Sequence, residues 1–211
     1  MLDRILLWAV LAVGLGAPLQ GQAVVAGSGH DKAKPAPTRP AARPTSPEDA
    51  DVLANAALRG DVETVRAQLA KGVDPDARGG LGKSALRAAT SFGCMTAPEK
   101  DVLAIVDLLI ETGAVVNEVD DYGLGVLLMA SQKCKAPVIA RLLKAGADVE
   151  QRSPQGFSPL AMALIVKNFD AARALVEHGA RLSRESMAKI FPEAPADPEQ
   201  AALVKRATGA R

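Results

Sequence analysis

Ala77-Arg78-Gly79-Gly80-Leu81-Gly82-Lys83-Ser84 fits a relaxed phosphate-loop pattern, with Ala in place of the first Gly. Such a loop works by aiming backbone amides and a helix N-terminus at phosphate, and a buried strand must lead into it. The residues leading in are Val73-Asp74-Pro75-Asp76, and a Pro between acids does not make a central strand. No apolar strand ending in Asp is found to hold magnesium, so nucleotide chemistry is not expected. Other reactive side chains are sparse. His30 lies in a Pro-rich stretch, and His178 stands beside Gly179, where an imidazole suits the C-terminal end of a helix. No nucleophile–His–acid set and no His/Cys pair at metal-ligand spacing emerges. Asp74, Asp76, Asp120 and Asp121 read as solvated turn residues. The sequence therefore predicts no catalytic residue, no metal, no cofactor and no small-molecule substrate.

The elements available to position anything are set by composition. The 211 residues are 48% hydrophobic but only 3% aromatic, and 40 of them are Ala. Ala favours helices and lets their backbones approach closely. A net charge of +1 excludes a strongly basic nucleic-acid binder. Near the N-terminus, Ile5 to Ala17 is a run of 13 apolar or Gly residues that contains the only Trp, Trp8. Spanning a bilayer takes about 20 such residues, whereas a signal-peptide core takes fewer. Pro18 ends the run, and Gly21-Gln22-Ala23 offers small residues for cleavage. The expected organisation is a signal peptide over 1–23, with cleavage near Ala23 and release to the periplasm or exterior. Membrane contact is expected only if that segment stays uncleaved. Residues 24–47 hold five of the chain's 14 prolines and read as a disordered spacer.

Beyond the spacer the sequence repeats itself. Leu53-Ala-Asn-Ala56, Leu86-Arg-Ala-Ala89, Leu127-Leu-Met-Ala130 and Leu160-Ala-Met-Ala163 begin 33, 41 and 33 residues apart. Each is followed by a second helical pattern closed by a glycine: Gly72, Gly113, Gly146 and Gly179, spaced 41, 33 and 33. The two displaced spacings locate one insertion of eight residues, Cys94 to Asp101, read as a loop. Gly60 and Gly93 are expected to end inner helices, a place taken later by Cys134 and Lys167. Gly82, Gly123 and Gly156 each fall ten residues after a closing glycine, where a hairpin turns into the next repeat.

A period of 33 with two helices and a turn resembles the ankyrin repeat. The likeness is strongest at Ser158-Pro159-Leu160, Glu177-His178-Gly179-Ala180 and Lys144-Ala145-Gly146-Ala147-Asp148-Val149. It departs after the motif Leu, where Arg87, Leu128 and Ala161 stand in place of His. The resemblance implies an all-α solenoid of about four helix-turn-helix repeats with hairpin fingers over 48–182. Residues 183–211 read as a C-terminal helical cap and tail. In such a stack, equivalent positions of successive repeats are neighbours. Cys94 and Cys134 are then expected either to pair as a disulfide, once exported, or to remain two small reduced residues.

The resemblance also implies a non-enzymatic protein-interaction module that binds through finger tips and inner helices. Aligned with that surface are Arg78, Leu81, Lys83, Ser91 and Phe92 in the second repeat. Val119, Asp121, Tyr122, Leu124, Gln132 and Lys133 follow in the third, and Arg152, Gln155, Phe157, Ile165 and Val166 in the fourth. Tyr122, Phe157 and Phe92 are the expected aromatic anchors. The repeat segment 48–182 has 15 Lys/Arg against 18 Asp/Glu, so no nucleic-acid face is expected, and a mildly basic protein partner is compatible with it. Exported ankyrin proteins that this chain resembles include immunity partners of exported toxins and accessory proteins of oxidative-stress defence.

Overall fold

The computed structural model describes residues 45–80, 82–191, 193, 195 and 197–209. The expected signal peptide, nearly all of the expected spacer, and Leu81 lie outside the described residues. The described residues form ten helices, with one isolated bridge, Val119 to Gly125, as their only β pairing. Four inner helices are α1 (Pro47–Arg59), α3 (Ala85–Ala88, continued by a π turn, Ala89–Gly93, and Cys94–Thr96), α5 (Val126–Lys133) and α7 (Pro159–Ile165). Their outer partners are α2 (Val62–Ala70), α4 (Glu99–Glu111), α6 (Ala136–Lys144) and α8 (Phe169–Glu177). Two further helices, α9 (Arg184–Ile190) and α10 (Pro198–Thr208), follow the last pair.

Local chemistry starts these helices. The Ser46, Ser84, Ser158 and Ser183 hydroxyls accept from amides three residues on, capping α1, α3, α7 and α9. Asp61 caps α2 through the Thr64 amide, and the Thr64 hydroxyl bonded to it holds its carboxyl below the ordinary 3.8. The four closing glycines have φ of 86° (Gly72), 89° (Gly113), 95° (Gly146) and 93° (Gly179), a left-handed turn that a side chain resists.

Packing follows the repeated motif. Leu53, Leu86, Leu127 and Leu160 are each at most 1% exposed, and Ala56, Ala89, Ala130 and Ala163 at most 5%. Inner helices contact inner helices and outer contact outer, so one continuous core runs through the pairs. At the far end, Leu203, Val204 and Ala207 of α10 are buried against α8, and the buried Gln200 amide donates to the Leu164 carbonyl at 2.8 Å.

Two local expectations are corrected. The insertion is not a loop: its eight residues lengthen α3 by about one turn and extend α4 to 13 residues, against 9 for α6. The acid-rich Glu99-Lys-Asp101 start and the apolar stripe of α4 favour helix over loop. Gly93 therefore does not end a helix; it lies inside the π turn, where an added Cβ would sit 3.1 Å from the Ala57 carbonyl. Close approach of α1, rather than a turn, is what requires glycine there. Gly60 does end α1, at φ 78°, and Lys167 takes the left-handed place after α7 at φ 58°.

A lysine in that conformation costs about 1 kcal/mol relative to glycine. Urea denaturation of Lys167→Gly should therefore show a gain of about that size, and Gly146→Ala a loss of at least about 1 kcal/mol. Equal midpoints in the two variants would contradict the assigned backbone.

Candidate protein-binding surface

Each finger is tied to the next by the same hydrogen bond. Four residues after a closing glycine stand Asp76, Asn117 and Glu150. Their side chains accept from the amides of Val115 (2.9 Å), Asp148 (2.8 Å) and Arg181 (2.9 Å), each two residues after the following closing glycine. At the first repeat the Thr45 hydroxyl takes the equivalent role, accepting from the Asp74 amide at 2.8 Å. The Asp76 carboxyl is therefore not merely a solvated turn group, whereas the Asp74 carboxyl accepts the Asp76 amide at 2.8 Å within its own turn. Asp76, Asn117 and Glu150 set the stacking register, because each pairs a backbone donor that the next finger would otherwise leave open.

The second link was not expected from the sequence. Arg87, where the ankyrin pattern places His, is 2% exposed. Its guanidinium donates to the Leu124 carbonyl at 2.6 Å and lies 3.3 Å from Asp120 and 3.4 Å from Glu118. The Nε–Glu118 approach is an ion pair without aligned hydrogen-bond geometry. Ser84 bonds the same Glu118 carboxylate, and Asp120 also accepts from the Tyr122 and Leu124 amides at 3.0 and 2.8 Å. Asp120 is thus an internal brace of the third finger rather than a solvated acid. Arg78 adds an outer layer, donating to the Val119 carbonyl at 3.0 Å and meeting Asp121 at 3.5 Å. A finger with one β-bridge gains its rigidity from this charge cluster.

Onto that frame the expected surface residues fall unequally. Tyr122 is 61% exposed and Phe92 40%, and Val119 beside them is 44% exposed. Lys83 and Lys133 place their ammonium groups 5.1 and 5.3 Å from the Phe92 ring centroid. Arg78, Asp121, Arg152 and Gln155 are exposed on fingers. Phe157 is half-buried, packed on the core beneath the Lys189 ammonium at 5.6 Å, and fills the gap beside the cap. Leu124 and Ser91 are withdrawn, at 8% and 2% exposure. Leu124 points inward because its backbone is bound to Arg87 and Asp120, and the π turn rotates Ser91 into the interior. The phosphate-loop pattern carries no strand: Val73 to Ser84 is the second finger, and Ser84 caps α3. No cluster of His, Cys, Asp and Glu able to hold a metal occurs among the described residues.

Residues 94–186 match the family model described as Ankyrin repeats (3 copies). The fold is an ankyrin-repeat solenoid. In the structure the same helix pairing extends back to Pro47, before the matched segment, adding a first helix pair and the inner helix of the second. No curated protein matches the chain. Ankyrin repeats generally serve as protein–protein interaction modules; here Phe92 is exposed on an inner helix and Tyr122 on a finger. The Cys94–Cys134 disulfide joins the second and third helix pairs, with Cα atoms 5.0 Å apart and a sequence separation of 40. It became reachable because the lengthened α3 carries Cys94 to the end of α5.

Breaking a buried ion cluster by removing one member costs about 3–5 kcal/mol, whereas neutralising both sides together costs less. Arg87→Met should thus lose about 3 kcal/mol in urea denaturation, and Arg87→Met with Glu118→Gln less than the sum of the single changes. Additive losses would show that Arg87 and Glu118 act separately. Cys94→Ser with Cys134→Ser should lose about 3–4 kcal/mol, read from the same transition under non-reducing conditions. An unchanged midpoint would remove the bridge from the account.

Proposed function

We propose that this chain is an exported, non-enzymatic adaptor that binds one protein partner through its finger tips and inner helices. The observation that carries the reading is the exposed pair Phe92 and Tyr122, in a chain with little aromatic content, held on a braced finger and its adjoining inner helix. Large aromatics on a rigid support are favourable anchors, because little conformational freedom is lost when they are covered. Export is supported by the apolar run Ile5 to Ala17, the small residues before Ala23 and a disulfide, which persists in oxidising compartments. The same features support placement in a cell envelope. An envelope location also accommodates service as an immunity protein against an exported toxin, or as an accessory in oxidative-stress defence.

The direct test compares residues 24–211 with the Phe92→Ala/Tyr122→Ala variant as bait in envelope extract of the source cells. Circular dichroism should confirm that both are equally folded. A protein retained by the native chain and reduced about tenfold or more by the variant supports the reading. Equal recovery by both baits places the interface elsewhere. A single partner held at one-to-one stoichiometry favours the immunity role over a many-partner accessory.

A further inference from the structure

Six Lys and Arg side chains among the described residues meet a carboxylate, Arg87 and Arg152 among them. Arg78 meets Glu118 and Asp121, Lys135 meets Glu99, Arg141 meets Asp107, and Arg173 meets Asp170 and Glu199. Lys83 and Lys133 are distinguished by converging on one exposed ring. Among the described residues neither has a carboxylate within ion-pair distance, yet both are drawn to one ring, Phe92, at 5.1 and 5.3 Å. They come from different repeats: Lys83 precedes α3 and Lys133 ends α5. Glu118 and Asp120 of the next finger are engaged by Arg87 instead.

The cluster itself carries two positive charges in a repeat segment that is net negative. The acids of the segment are spread over the first turn of α1 (Glu48, Asp49), the outer helices (Glu63, Glu99, Glu111, Glu177) and the fingers, where Glu118 and Asp120 are engaged by Arg87. Two unneutralised ammonium groups held around one ring repel each other, and the ring quadrupole offsets this only in part. A carboxylate placed between them relieves that repulsion, while an apolar side chain beside it covers the exposed part of Phe92.

We propose that the Lys83–Phe92–Lys133 cluster receives an acidic, apolar-flanked segment of a protein partner. This rests on the adaptor reading above and specifies its partner. Charge complementarity at the aromatic anchor, rather than the chain's overall charge, selects the occupant. A protein segment fits better than an anionic membrane, because Asp121, with 88% of its side chain exposed, stands on the neighbouring finger beside Tyr122 and repels a uniformly negative surface.

The experiment uses residues 24–211 and three fluorescent peptides of about a dozen residues: alternating Glu and Leu, the same with Gln for Glu, and the same with Lys for Glu. Fluorescence anisotropy should show the Glu peptide binding about tenfold or more tightly than the Gln peptide, with the Lys peptide weakest. Binding should weaken as NaCl rises from about 50 to about 300 mM. Lys83→Gln/Lys133→Gln should abolish the preference for Glu over Gln while leaving the thermal midpoint unchanged. Equal binding of all three peptides overturns the proposal. So does a Glu preference that survives the lysine changes, or tighter binding to phosphatidylglycerol vesicles or single-stranded DNA than to the Glu peptide. If bait recovery depends on Phe92 and Tyr122 but not on the lysines, the adaptor reading stands and the acidic partner falls.

Discussion

A guanidinium buried to 2% exposure must find its counter-charges inside the fold, and much of this molecule's presented surface depends on how Arg87 does so. Its partners all lie on the next finger: Glu118, Asp120 and the Leu124 carbonyl. Satisfying one side chain on α3 thereby fixes the path of Glu118 to Leu124. That path puts Tyr122 outward and Leu124 inward. The same engagement removes Glu118 and Asp120 from the pool of acids, which leaves Lys83 and Lys133 to share an aromatic ring. Stability and surface chemistry at the second and third repeats are two consequences of one buried charge.

Elsewhere the stack is held by weaker, repeated links. The side chains of Asp76, Asn117 and Glu150 differ in length and charge, yet each accepts an amide from the next finger. Function at that position needs only an acceptor oxygen at the right height, so residue type is free to vary. The disulfide adds a covalent tie where the lengthened α3 passes the end of α5. Nearest-neighbour links of this kind let an array be stable without aromatic bulk in its core.

The helical pairing was legible because it rests on local chemistry: Leu and Ala three apart, closing glycines and serine caps all act within one repeat. Cys94 and Cys134 were legible as one of two outcomes, since equivalent positions in a stack are neighbours. What could not be read depended on contacts between repeats. Asp120 looks like any turn acid until Arg87, 33 residues earlier, is placed beneath it. The insertion was read as a loop from the shifted spacings, whereas its Pro98 serves as the start of a longer α4. Leu124 and Ser91 were assigned to the surface by register, and a finger bent onto Arg87 and a π turn moved them inside. Phe92 and Tyr122 were identifiable by scarcity, but the two lysines around Phe92 came from sequence positions 50 residues apart.

The central claim is that the third finger is a braced support and not an open loop. Amide hydrogen exchange of residues 24–211, resolved by NMR, tests it most directly. The account predicts that the Tyr122, Leu124 and Val126 amides, bonded at 3.0, 2.8 and 3.3 Å, exchange about as slowly as the core amides of α5. Exchange of these amides at the rate of a solvent-exposed turn, with α5 still protected, would contradict it.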